Sequence, residues 1–122
     1  MFDPNVMLIK TIRPIDGEIV KCWYEYYGGI HQATPTTGLP RPFRAKPELI
    51  CRNTGMKDAQ GQYIYDGDAC RDAQGKIYMA QENGAGWKLA AKDGTTRNAG
   101  DVTAFGSVIL DADIKRLYEG GT

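Results

Sequence analysis

The tetrapeptide DAQG occurs twice, at residues 58–61 and 72–75, and each copy is followed by aromatic and β-branched residues. An Asp that opens a type I turn, two central residues and a Gly in the left-handed position are what a bulged hairpin loop requires. Asp58 and Gly61 fill those places in the first copy, Asp72 and Gly75 in the second, and KDGT at 92–95 offers a third Asp-Gly turn. Strand-like runs lie around them at 62–65, 68–71, 75–81, 86–91 and 102–110. Short strands at this spacing predict a mainly β fold, a small barrel or a curled antiparallel sheet. The DAQG copies are therefore read as turns first and as sites only second.

Two further runs precede this region. Residues 7–12, MLIKTI, and 18–27, EIVKCWYEYY, are separated by RPIDG, where Pro14, Asp16 and Gly17 signal a turn, so an N-terminal hairpin is expected over residues 1–27. In its second strand Val20, Cys22, Tyr24 and Tyr26 form the cleaner apolar face and are assigned to the core. Residues 28–47 change character: Pro35, Pro40, Pro42 and Pro47 interrupt any period, and RPFRAK sets Phe43 between Arg41 and Arg44. The expectation is a long Pro/Gly-rich loop with a flexible GG entrance: an extended arm that adds little to its own core and presents an aromatic anchor to a partner, with a disordered insert as the alternative. At the other end LDADIKRLYEGG predicts a short helix capped by Asp111 or Asp113, with Ile114, Leu117 and Tyr118 at helical spacing. A chain of 122 residues is expected to form one small domain, with 48–122 as its main β part.

Composition narrows the function classes. Aliphatic residues are sparse, and seven Tyr with two Trp supply the missing apolar area. Fifteen basic residues balance fifteen acidic ones, which argues against bulk nucleic-acid binding. Cys22, Cys51 and Cys70 are odd in number and lack a CxxC pair, so they are read as buried free thiols in a reducing, cytoplasmic setting. No apolar stretch approaches the roughly 20 residues of a membrane span, and no membrane partner is expected.

No catalytic group stands out. Asp66, Asp68, Cys70 and Asp72 fail the calcium-loop template at its third ligand, so neither a metal nor a cofactor is expected. Asp66, Gly67 and Asp68 are instead assigned to a structural turn in which the carboxylates bond backbone amides. Ser107 has no histidine near it in sequence, and His31 alone does not define an active site. The candidate binding residues are Arg41, Phe43, Arg44, His31 and Trp87.

The stretch NTGMKDAQGQYIYDGD, residues 53–68, resembles the signature of the YopX-like family of phage and prophage proteins. Thr54, Gly55, Met56, Lys57, Asp58, Gly61, Ile64, Tyr65, Asp66, Gly67 and Asp68 match it, and DVTAFGSVILDADIKRL is similar to the family's closing strand. The resemblance covers about residues 48–118, while the first 47 depart from the family's usual opening. It implies a mostly β, SH3-like fold and a phage or mobile-element origin, and it implies no enzymatic activity. The resulting expectation is a non-enzymatic binding protein whose partner is a host or phage protein or a second copy of the chain. Two alternatives are a binder of a small nucleotide signal, held by Arg41, Arg44, Trp87 or tyrosines, and a single-strand nucleic-acid binder with Tyr and Trp platforms.

Overall fold

The computed structural model describes residues 8–39 and 41–120, and within it the chain forms two compact units whose boundary falls between Asn53 and Thr54. The fold is mainly β, built from antiparallel strands with one short C-terminal helix. Of the two architectures expected, the described strands make open sheets and not a closed barrel.

In the first unit, β1 (Leu8–Ile12) and β2 (Ile19–Tyr27) form the expected hairpin, in register from Leu8↔Trp23 to Ile12↔Ile19. Its turn is closed by Arg13 N–H donating to the Glu18 carbonyl and Gly17 N–H to the Arg13 carbonyl, both at 2.8 Å. The chain then departs from the expected long loop. Gly28 and Gly29, at φ +56° and +80°, make a two-residue turn of the kind whose twist matches paired strands. They return the backbone along β2 as β3 (Ile30–Pro35), with Tyr27 opposite Ile30 and Cys22 opposite Pro35. A two-residue strand, β4 (Phe43–Arg44), pairs with β3 through Ala33↔Phe43. With β5 (Cys51–Lys57) the order is β4-β3-β2-β1-β5. The GG entrance is thus a hairpin turn, not a flexible hinge, and the irregular part shrinks to the connection between β3 and β4.

The core of this unit is Ile9, Cys22, Ala33 and Ala45, with Val20, Tyr24, Phe43 and Ile50 packed against it. Alternation put Cys22 inside as expected, but Tyr26 near the end of β2 is 59% exposed. Phe43 is half-buried against this cluster, which corrects the expectation of an arm that leaves the core alone.

In the second unit β5 continues to β6 (Tyr63–Tyr65), and β7 (Asp68–Arg71), β8 (Ile77–Glu82), β9 (Trp87–Ala91), β10 (Thr96–Arg97) and β11 (Thr103–Ser107) form a sheet in the order β10-β9-β8-β7-β11. On one side of it Cys70, Tyr78, Ala80, Leu89 and Ala91 join Ile64 of β6 and Val102 in one buried cluster. The other carries Ala69, Val108 and Tyr118 with Ile114 and Phe105. Helix α1 (Ala112–Gly120) supplies Ile114 and Tyr118 to that second cluster, and Asp111 caps it by accepting from the Asp113 amide at 2.9 Å. Among the described residues no helix is long and apolar enough to cross a membrane.

Candidate functional site

The turns of the second unit are built as their residues require. The Asp58 Oδ1 accepts from the amides of Gln60 and Gln62 at 2.9 and 3.0 Å, and Gly61, at φ +79°, donates to the Asp58 carbonyl at 3.0 Å. Asp72 repeats this with Gln74 and Lys76, and Gly75 sits at φ +87°. The two copies diverge at the other carboxylate oxygen. Asp58 Oδ2 accepts from the Ala104 amide at 3.0 Å, whereas Asp72 Oδ2 accepts from Tyr78 Oη at 2.9 Å and Arg97 Nη2 at 3.0 Å. In the YDGD turn Asp68, 1% exposed, accepts from the Tyr65 amide at 2.8 Å. Gly67 lies at φ +79° and donates to the Ala80 carbonyl, while Asp66 beside it is half-buried.

The first unit places two of the five candidate binding residues in one groove. Arg41 and Phe43 line a cavity of about 500 Å³ with Pro42, Leu39 and the β1–β2 turn residues Arg13 to Asp16. Ile15 is 88% and Leu39 72% exposed, so two aliphatic side chains stand in water at the rim. Arg13 donates twice to Asp16, from Nε at 3.1 Å and from Nη2 at 2.6 Å, and Asp16 also accepts from the Glu18 amide. Arg13 first, and then that amide, hold the Asp16 carboxyl below the usual range. Among the described residues Arg41 is in no ion pair, which leaves the groove with one uncompensated cation. Ile15 and Leu39 were missed because an aliphatic residue inside a turn breaks no periodicity. The only available signal was their presence in PID and GLP, where polar residues usually stand.

The other three candidates lie elsewhere. Arg44 is exposed on β4 and does not line the groove. His31 is on β3 and not in a loop: its Nδ1 is 2.6 Å from Tyr24 Oη, its ring stacks with that of Tyr24 at 5.9 Å, and the Tyr26 ring meets it tilted, at 4.7 Å. That pairing follows from the hairpin, which sets Tyr26 opposite His31. Trp87 opens β9 and lines a separate groove in the second unit with Met56, Leu89, Arg97 and Asn98.

The remaining chemistry-bearing residues are used in the fold. Ser107 is buried, and its Oγ accepts from the amides of Ile109 and Leu110 at 3.2 and 3.0 Å. Cys22, Cys51 and Cys70 are buried thiols in no disulfide, and burial pushes the Cys22 thiol up to about 11. Among the described residues no three of His, Cys, Asp and Glu lie together as a metal site would require.

The family model described as YopX protein matches residues 15–120. This extends the likeness well before residue 48, from within the β1–β2 turn through β2, β3 and β4, and takes in every groove residue except Arg13 and Pro14. No curated protein matches the chain.

Proposed function

The chain belongs to the YopX family, and from that premise we propose that it is a non-enzymatic interaction protein of a phage, prophage or other mobile element whose first unit takes a short segment of a partner protein. The observation that carries the reading is the pair Ile15 and Leu39, exposed at the rim of a groove lined by Phe43 and Arg41. Isolated surface aliphatics are ordinary, but two of them beside one concavity form a patch. Burying each contributes roughly 1.5–3 kcal/mol at full coverage, enough for a peptide of modest affinity. Arg41 supplies direction. A guanidinium without a carboxylate partner favours a segment that sets an acidic residue beside its apolar anchors.

Fluorescence polarisation with labelled peptides tests this. Peptides with two apolar anchors and a neighbouring Asp or Glu should bind, and their Lys counterparts should bind at least several-fold more weakly. Ile15→Asp should abolish binding, and Arg41→Glu should reverse the charge preference, both with unchanged melting temperature. Equal binding of acidic and basic peptides, or indifference to Ile15→Asp, rules the groove out as the interface.

A further inference from the structure

The second unit carries a different kind of concavity. β9 and β10 pair in a register that sets Leu89 opposite Arg97, and Trp87 lies two residues before Leu89 on the same face of the sheet. Trp87 and Arg97 are therefore diagonal neighbours, on the order of 7 Å apart along the sheet. Both line a groove of about 580 Å³, within the range of small-molecule sites, together with Met56, Leu89, Asn83 and Asn98. The groove shares Leu89 with the buried cluster that holds Tyr78 and Ala80. Its lining combines Met56, Leu89 and Ala99 with the Trp87 ring, two cations (Lys88 and Arg97), two amides and one carboxylate, Asp101.

Arg97 is held in place from behind. Its Nη2 donates to Asp72 at 3.0 Å and to Gln74 at 3.2 Å, while Asp72 is itself buried and fixed by the Gln74 and Lys76 amides and the Tyr78 hydroxyl. These bonds occupy one of the three guanidinium nitrogens, and a guanidinium has five N–H donors. The Asn98 side chain does not cap the 3₁₀ turn that follows it, and Asn83 uses its Oδ1 for the Ala85 amide and keeps its NH₂. A pre-positioned arginine, a stacking surface one diagonal away and amides that can both donate and accept match one ligand class.

We propose that this groove binds a nucleoside monophosphate or a nucleotide of similar size. The base stacks on Trp87, Asn83 and Asn98 contact its edge, and the phosphate meets Arg97. The site lies within the second unit and is independent of the peptide groove of the first, so either can fail without the other.

Trp23→Phe leaves Trp87 as the only indole, and its fluorescence can be followed while purine and pyrimidine mononucleotides are added. A saturable quench is expected for at least one nucleotide, with affinity in the micromolar to low millimolar range. Arg97→Lys keeps the ion pair with Asp72 but loses the guanidinium fork, and Asn98→Ala changes an exposed amide. Each should weaken binding at least about fivefold, Asn98→Ala at an unchanged melting temperature, and the matching nucleoside should bind more weakly than its phosphate. Absence of a saturable quench across the panel overturns the proposal. So does a quench that neither variant alters, because that reports stacking on a half-buried ring and not a site.

Discussion

Asp58 and Ala104 lie 46 residues apart in sequence, and the Asp58 Oδ2 accepts the Ala104 amide proton at 3.0 Å. One carboxylate therefore closes its own turn with one oxygen and ties that turn to β11 with the other. Asp58→Ala removes three hydrogen bonds to backbone amides, at roughly 1 kcal/mol each, and leaves those amides to find other partners. A loss of about 2–3 kcal/mol in urea melts is expected. Asp58→Asn, which keeps one acceptor oxygen, should fall between the two.

Acid should weaken the protein through Asp72. Burial opposes ionisation of this carboxyl, but Arg97, the Lys76 amide, the Tyr78 hydroxyl and the Gln74 amide outweigh it and hold the pKa at about 2. An unfolded aspartate titrates near about 3.9, so the folded state binds its proton less readily. The stabilisation is complete above the unfolded value and is lost as pH falls through about 4 toward about 2. Wild type should be more stable than Asp72→Asn at neutral pH, with the gap closing in that acid window. A gap that stays constant with pH would show that the ionised form is not what stabilises.

Glycine substitutions should separate backbone strain from crowding. Gly61 and Gly67 share φ +79°, yet an added Cβ meets nothing within 4 Å at Gly61 and collides with Ile109 Cδ1 at Gly67. Gly61→Ala should cost about 1 kcal/mol from the left-handed backbone alone. Gly67→Ala should cost more, and Ile109→Ala in the same chain should recover part of the difference. Equal midpoints for the two single variants would contradict this.

Thr11 is fully buried, and its hydroxyl has no hydrogen-bond partner among the described residues. Valine has the same shape and strand preference without the unsatisfied oxygen. Thr11→Val is expected to raise stability by about 1 kcal/mol, read as a higher urea midpoint at an unchanged slope.

Phe43 and Arg41 are adjacent to one groove but differ in what they support. Phe43→Ala should destabilise the protein by roughly 2 kcal/mol, about half the range for a fully buried phenylalanine, because the ring packs against the first core. Arg41→Ala should leave the melting temperature unchanged. An alanine scan over residues 41–44 would distinguish the two, and a thermally neutral Phe43→Ala would return that ring to the surface.

The amino-acid sequence by itself determined the features whose hydrogen bonds close within a few residues. Asp58 and Asp72 meet amides two and four positions on, Gly61 and Gly75 take the left-handed place, and Asp111 caps α1. Such contacts are encoded where they are made, and the hairpin of β1 and β2 was legible for the same reason. β3 and β4 were not. Ile30 to Pro35 has no apolar alternation to announce a strand, and a two-residue β4 exists only because Ala33 and Gln32 lie opposite it. Tertiary structure alone also decided which oxygen of two identical DAQG turns reaches Ala104 and which reaches Arg97, since those partners lie 46 and 25 residues away. It likewise brought Ile15 and Leu39 to one groove, and Trp87 and Arg97 to another. Each of those pairings depends on strand register, and register is settled by burying one face of a whole sheet, not by the residues that end up side by side.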